Sequence, residues 1–244
     1  LVAITSIFAT LSRGGMIALV VVFLILPFLP ASWMLGTRRQ KMAVMLALAL
    51  ALGALFTRPT FREEVVSRIQ TLFVSQSAQQ ADGSSSGSGR TELWKAAFAS
   101  IKERPVRGLG IGAYPSQSNR LLFGTPGVNL ELIANHPDGI EVHSAFIGTT
   151  VDLGFVGLTA FVGMILTTMG WLLRLAARAR RIGQQLLGSL SIALVLSIVG
   201  WALSSIFIET ETARPIWIVM GLTLAIGKIL HRLERIAYAQ QMAR

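Results

Sequence analysis

Residues 186–208 read LLGSLSIALVLSIVGWALSSIFI and contain no charged side chain. A run of this length can cross the hydrocarbon core of a bilayer, which is about 30 Å thick and needs about 20 helical residues. Further apolar runs lie at residues 15–29, 42–56, 145–173 and 215–230. The chain is 52% hydrophobic and only 14% charged. The sequence therefore predicts an all-α integral membrane protein, a multi-span helical bundle.

The predicted boundaries leave one long hydrophilic segment between two groups of helices. Residues 1–56 hold a stub (1–10) and two spans, at 15–29 and 42–56. Residues 57–142 form a large loop. Residues 143–230 hold three spans, at about 153–173, 186–208 and 215–230, and residues 231–244 form a tail. The first turns of the run at 145–173 are expected at the membrane interface, because Asp152 lies there. The stub is too short to cross, so we expect further helices upstream and read the chain as a C-terminal portion.

Clustered basic residues set the predicted orientation. They occupy two short connections, the end of the last span and the tail. These residues are Arg38, Arg39, Lys41, Arg174, Arg178, Arg180, Arg181, Lys228, Arg232, Arg235 and Arg244, opposed only by Glu234. With five alternating spans these regions share one side, and their sum equals the whole formal charge of +10. By the positive-inside rule that side is the cytoplasm, and the large loop lies outside. Membrane topology explains the charge, so no nucleic-acid partner is expected.

The large loop changes composition along its length. Residues 58–74 have the apolar spacing of an amphipathic interfacial helix, and residues 75–89 form a Gly/Ser-rich flexible linker. Residues 91–102 predict a helix with Thr91 as its cap. Residues 108–138, rich in Gly, Pro and Asn, predict an ordered loop. The loop is thus predicted to be mainly helical and irregular, without a sheet.

Two arginines are candidate anion contacts. Arg13, followed by two glycines, opens a span at its external end, and Arg90 opens the predicted helix after the linker. A guanidinium is a planar, bidentate partner for phosphate, and a helix N-terminus favours anions. The alternative is that Arg13 reaches the lipid headgroups and that Arg90 is an ordinary surface residue.

Alternating glycines at Gly108, Gly110 and Gly112 form the third candidate. We reject a dinucleotide loop, because a strand should precede it and a helix should follow, whereas a helix precedes and Pro115 follows. Two interpretations stay open, namely an anion-binding nest of main-chain amides and a tight structural turn.

The fourth candidate is a group of ionisable residues around the start of the next span. His136, Asp138, Glu141 and His143 fall within eight positions, and Asp152 follows in the apolar run. As metal ligands they match no zinc spacing that we can justify, whereas one His beside a carboxylate suffices as a base or proton carrier. Asp152 either serves function at membrane depth or caps and pairs near the interface. The chain has no cysteine, which excludes thiolate chemistry.

Taken in order, these residues resemble the O-antigen ligase and polymerase superfamily of bacterial envelope glycosyltransferases. The similarity rests on Ser12-Arg13-Gly14, on Arg90-Thr-Glu-Leu-Trp94, on the glycines that follow Pro105, and on His143-Ser144 leading into Leu153-Gly-Phe-Val-Gly157-Leu. The resemblance implies an inner-membrane enzyme whose large periplasmic loop covers the active site. It also implies transfer of a glycan from an undecaprenyl-diphosphate carrier without a metal or other cofactor.

The resemblance also implies the roles of individual residues. The family's two essential arginines and one histidine match Arg13, Arg90 and His143, which become the candidate catalytic residues. Arg13 and Arg90 would bind the diphosphate. The remaining candidate substrate-binding residues are Gly108, Gly110, Gly112, Glu141 and Asp152.

Within the family the acceptor differs. A ligase uses the lipid A core, a polymerase uses another carrier-linked glycan, and an O-linked oligosaccharyltransferase uses a protein. Outside the family the alternative is a polysaccharide transporter subunit. A transporter should carry paired charges or broken helices at the bilayer midplane, but the runs at 15–29, 42–56 and 186–208 hold no charge.

Overall fold

The structure is a computed structural model that describes residues 13–30, 33, 88–124, 133–134, 136–208 and 214–242, with isolated positions between 39 and 63. The α-helices of these ranges are α1 (Arg13–Ile25), α2 (Ser88–Glu103), α3 (Tyr114–Phe123), α4 (Ala145–Arg181), α5 (Gln185–Ser204) and α6 (Arg214–Met242). A 3₁₀ turn at Leu26–Phe28 extends α1, and the described residues include no strand. The predicted helical fold class is confirmed for this part of the chain.

Three described helices are long and apolar enough to cross a membrane, namely Ala145–Arg181, Gln185–Ser204 and Pro215–Gln240. They overlap the three predicted spans of the C-terminal half, although α5 ends at Ser204, four residues before the end predicted at 208. At the first predicted span, the apolar helix Ala18–Phe28 is shorter than the membrane core requires. The stub, most of the span predicted at 42–56 and nearly all of residues 58–87 lie outside the described residues. The complete multi-span bundle and the placement of the large loop outside stay predictions.

The described residues form two compact units, and α4 contributes to both. The bundle unit contains α1, α5, α6 and the part of α4 from Phe161 onward. The loop unit contains α2, α3, the segments that follow them and the part of α4 up to Ala160.

In the bundle unit, small residues lie where helices approach one another. A Cβ atom at Gly200 of α5 would lie 3.6 Å from Val22 of α1, and one at Gly227 of α6 would lie 3.4 Å from Trp171 of α4. An added methyl group at either position would make an ordinary van der Waals contact with the neighbouring helix. Gly200 and Gly227 therefore lie at helix contacts, which matter because lipid supplies no hydrophobic force between helices.

Two other helix boundaries also differ from the sequence prediction. α2 begins at Ser88, so Thr91 lies inside the helix and is not its cap. α6 continues to Met242 through the region predicted as a separate tail. Residues 231–242 contain neither Gly nor Pro, so nothing in their sequence ends the helix.

The prediction of an unbroken loop at 108–138 is wrong, because α3 lies within it. Pro115 stands in the first turn of α3, where proline is favoured because no N–H donor is needed, and Gly124 follows the last residue. These two residues are ordinary helix-boundary signals. The sequence prediction missed them because the helix is short and polar and has glycines around it.

Candidate functional site

One face of α2 packs against α3 and organises the loop unit. The buried apolar side chains are Leu93, Ala96, Ala97, Ile101, Tyr114, Leu122, Ile140, Val142 and Val151. Leu93, Ala97 and Ile101 recur every four residues, as one face of a helix requires. The hydroxyl of buried Tyr114 donates to the carbonyl oxygen of Leu93 at 3.1 Å, so α3 is also tied to α2 by a hydrogen bond.

Trp94 connects α2 to the segment that carries His143. Its indole Nε1–H donates to the carbonyl oxygen of Val142 at 3.1 Å, and Val142 is fully buried. His143 follows, half-buried, with φ of 56°. Such a left-handed backbone is uncommon outside glycine, although histidine adopts it more often than most residues. The hydrogen bond thus fixes the residue next to His143 against α2.

The start of α4 fixes His143 from its other side. The carbonyl oxygen of Ser144 accepts the N–H of Gly148 at 2.8 Å, and the side chain of Ser144 is buried. The N–H of Ala145 donates to the carbonyl oxygen of Ile208 at 3.2 Å. Main-chain groups at the helix start are therefore paired, and the helix begins at a defined place.

The structure brings together two of the three elements that carry the candidate catalytic residues. Arg90 lies in the first turn of α2, four residues before Trp94. The helix of Arg90 and the segment of His143 consequently meet within the loop unit. Arg13 begins α1 in the bundle unit, and its predicted place beside the other two stays a prediction.

Residues 105–113, which we call the glycine strap, lie across a kink in α4. At the kink Gly154 has φ 67° and ψ −170°. In a continuous helix the Phe155 N–H would donate to the Val151 carbonyl. Here the Phe155 N–H donates to the carbonyl oxygen of Pro105 at 2.7 Å, and the Val151 carbonyl accepts the Leu109 N–H at 2.8 Å. The strap therefore supplies both partners that the kink removes.

Two glycines allow this close approach. A Cβ atom at Gly154 would collide with the main chain of Val106, and one at Gly108 (φ 64°) would collide with the carbonyl groups of Val151 and Asp152. The backbone region that Gly154 occupies is almost restricted to glycine. Both positions thus require glycine for the contact between strap and helix.

The carboxylate of Asp152 completes this contact. Its Oδ2 accepts the N–H of Gly112 at 2.6 Å, and its Oδ1 accepts the N–H of Tyr114 at 3.3 Å. The carbonyl oxygen of Asp152 also accepts the N–H of Gly110, at 2.8 Å. The amides of the strap therefore do surround an anion, but the anion belongs to the chain itself.

This geometry favours the structural interpretation of the strap and of Asp152. The amides of Gly110 and Gly112 already have partners, and Gly108 is needed for close approach. The substrate-binding role predicted for these residues stays a prediction. A helix does follow the glycines, so that part of the argument against a dinucleotide loop is wrong. The argument from the missing strand holds for the described residues.

The remaining ionisable candidates lie on the segment before α4. The side-chain amide of Asn119 donates to the carbonyl oxygen of His136 at 2.9 Å, which holds this segment against α3. The side chains of Asp138 and Glu141 are exposed. Among the residues that the structure describes, no three His, Asp or Glu side chains form a group suited to a metal ion. The carboxylate nearest in sequence to His143 is Glu141, and its substrate-binding role stays a prediction.

A polar cleft between α2 and α3 was missed from the sequence. It encloses about 230 Å³, and its polar lining consists of Glu103, Arg104, Gln117 and Arg120. Gln117 and Arg120 are three residues apart on α3 and therefore share a face. Because α3 was not predicted from the sequence, these two residues were not expected on one face, and the cleft was missed as well.

Comparison with known families gives a match that covers the part of the chain that carries these features. A family model described as O-Antigen ligase matches residues 1–162, which include Arg13, Arg90, His143, the glycine strap and the kink of α4. This confirms the family that the sequence motifs indicated. No curated protein matches the chain.

Proposed function

Because the chain belongs to the O-antigen ligase family, we propose that it transfers a glycan from an undecaprenyl-diphosphate carrier to an acceptor on the periplasmic side of the bacterial inner membrane. The observation that carries this proposal is the hydrogen bond between Trp94 and the carbonyl of Val142. It joins the helix of Arg90 to the segment of His143. The membrane itself is supported by three apolar helices long enough to cross it.

The proposed reaction is a direct displacement. The hydroxyl oxygen of the acceptor attacks the anomeric carbon of the glycan, and the bond from that carbon to the diphosphate oxygen breaks. The hydroxyl proton passes to the imidazole of His143, and the diphosphate leaves with its lipid carrier. A single displacement inverts the anomeric centre and requires no carboxylate nucleophile.

Arg13 and Arg90 are assigned to the leaving diphosphate. Negative charge grows on its oxygens as the bond breaks, and two guanidinium groups can stabilise that charge where other enzymes use a divalent ion. The position of Arg90 in the first turn of α2 supports this role, because unpaired N–H groups at a helix start also favour an anion. His143, whose type titrates near neutral pH, suits proton transfer.

The polar cleft is assigned to one sugar residue of the glycan. Its two guanidinium groups and one side-chain amide donate hydrogen bonds, and the carboxylate of Glu103 accepts them from hydroxyl groups. The cleft is smaller than the roughly 300–1,000 Å³ of typical ligand pockets, which suits one sugar ring.

Three substitutions test the catalytic assignment. Arg13→Ala, Arg90→Ala and His143→Ala should each lower glycan transfer by about 100-fold or more, the effect expected from removing a proton-transfer or charge-stabilising group. Transfer is measured with purified carrier-linked glycan, and membrane insertion is followed by immunoblot of the membrane fraction. Normal transfer by any of the three variants would overturn its assignment.

Matched controls come from the loop unit, which also contains Arg90 and His143. Arg107→Ala removes an exposed arginine of the glycine strap, and His136→Ala removes the other histidine before α4. Both variants should retain transfer. If His136→Ala also loses activity, and a divalent ion restores a chelated wild-type enzyme, the paired-histidine metal alternative replaces the proposed base.

The product identifies the acceptor. A ligase modifies lipid A core, so its loss removes glycan from lipopolysaccharide. Loss of a polymerase leaves single repeat units, and loss of a protein transferase removes glycoprotein. We favour the ligase, because the matching family model carries that description.

A further inference from the structure

An apolar groove in the bundle unit runs between the end of α1 and the start of α5. It encloses about 350 Å³ and is lined by Leu26, Leu29, Trp33, Leu186, Leu190 and Leu196, among others. Leu186 and Leu190 are 61% and 43% exposed. Such a groove on a helix long and apolar enough to span a membrane suits a hydrocarbon chain.

Arg180 lies beside this groove. Its guanidinium carbon is 4.5 Å from the centre of the Trp33 ring, which lines the groove. A cation over an indole face is attractive, and tryptophan is enriched where a membrane meets water. The ring therefore connects the apolar groove to a positive charge.

The position of Arg180 is set by the end of α4. The N–H of Gly183 donates to the carbonyl oxygen of Arg180 at 3.1 Å, and the N–H of Gln184 donates to that of Ala179 at 2.8 Å. This pair of bonds is the Schellman arrangement that closes helices. The backbone that carries Arg180 is thereby fixed.

Among the residues that the structure describes, Arg178 has an ion-pair partner and Arg180 has none. Arg178 binds Glu234 of α6 through two hydrogen bonds, Nε to Oε1 at 3.0 Å and Nη2 to Oε2 at 2.5 Å. The Nη1 atom of Arg180 is buried without any hydrogen-bond partner. A buried, unpaired polar group is costly, and a charged one more so, which favours binding of an anion at this guanidinium.

We propose that an anionic phospholipid binds at this place, with its phosphate on the guanidinium of Arg180 and an acyl chain in the groove. Arginine is a bidentate partner for phosphate, and the adjoining groove accepts the hydrocarbon that a soluble anion lacks. The phosphate would neutralise the charge of the guanidinium while the acyl chain fills the groove. This site is separate from the candidate catalytic residues and does not depend on the proposed transfer reaction.

Native mass spectrometry of the full chain tests the proposal. The purified protein is titrated with phosphatidylglycerol or with phosphatidylcholine of the same acyl chains. We expect the wild type to retain one phosphatidylglycerol in preference to phosphatidylcholine. Arg180→Gln should weaken that retention by about tenfold or more, since a hydrogen bond to a charged group is lost.

Two further variants complete the experiment. Arg181→Gln makes the same charge change on the adjacent, exposed residue and should leave retention unchanged. Ala193→Phe places a ring in the groove without altering charge and should displace the lipid even if Arg180→Gln does not fold. Equal retention of both lipids, equal loss in Arg180→Gln and Arg181→Gln, or full retention in Ala193→Phe would each overturn the proposal.

Discussion

Asp152 illustrates what a single residue reveals only in three dimensions. Its sequence position, inside an apolar run, left a functional role and a pairing role open. The structure directs both carboxylate oxygens at main-chain amides of Gly112 and Tyr114, which lie about forty residues earlier. No local pattern predicts such a distant partner. The alternating glycines signalled an unusual backbone, but not what that backbone would contact.

Asp152→Asn tests the pairing role. Asparagine has about the size of aspartate, but only its side-chain oxygen can accept a hydrogen bond. Its NH₂ group would face a main-chain N–H, which is also a donor. We expect the free energy of unfolding to fall by about 1–2 kcal/mol, while KM for the carrier-linked glycan stays unchanged. Thermal unfolding in detergent and initial transfer rates measure the two quantities.

Asp138→Asn is the control, because its exposed carboxylate lies in the same unit and should contribute little to stability. Should Asp152→Asn raise KM and leave unfolding unaltered, the carboxylate contacts substrate after all.

Arg90 and His143 are the candidate residues that short sequence motifs indicate, and their catalytic roles stay predictions. Both lie in short motifs whose order identified the family, and the family model confirms that identification. Trp94 belongs to one of these motifs, but its bond to the carbonyl of Val142 emerged only from the fold. Sequence motifs thus indicate which side chains are candidates for chemistry, but they do not indicate the main-chain contacts that position those side chains.

At the scale of elements, α4 combines two environments in one helix. Hydropathy predicted its apolar run and placed the start of the span near Leu153, next to the kink at Gly154. The turns before the kink carry buried Val151 into the core of the loop unit. The kink itself was not predicted, because glycine is common in membrane helices and its backbone angles do not follow from its neighbours.

Gly154→Ala tests the kink. The added methyl group would collide with the main chain of Val106 and strain the backbone, so we expect a loss of at least about 2 kcal/mol in the free energy of unfolding. Thermal unfolding of the purified protein measures this loss.

Gly163→Ala supplies the matched control within α4. No atom lies within 4 Å of the Cβ position at Gly163, and alanine is the better helix former by up to about 1 kcal/mol. That variant should be as stable as the wild type or slightly more so. Equal stability of the two alanine variants would contradict the role assigned to Gly154.

At the scale of the whole molecule, composition and charge predicted more than local patterns did. The apolar runs led to the three candidate spans, and clustered arginines led to an orientation. The structure adds that one of those arginines, Arg178, pairs with Glu234 across two helices. From the sequence, Arg178 contributed only to the predicted orientation of the chain in the membrane.

The absence of cysteine makes that orientation directly testable. Lys102→Cys and Arg181→Cys each introduce one thiol at an exposed position. In cells with a permeabilised outer membrane, a membrane-impermeant maleimide should label the first variant. It should label the second only after the inner membrane is opened. The wild type supplies an unlabelled background, and the reverse pattern would invert the proposed topology.

The glycine strap also decides where the chain can be cut. An isolated version of the large loop, designed from hydropathy, would stop near residue 144, where the apolar run begins. It would discard Val151, Asp152 and Phe155, and with them the main-chain bonds that hold residues 105–113. A recombinant fragment meant for immunisation or for spectroscopy must therefore include the first turns of α4, at least through Phe155. The C-terminal boundary of a stable fragment therefore lies inside α4, beyond the boundary that hydropathy indicates.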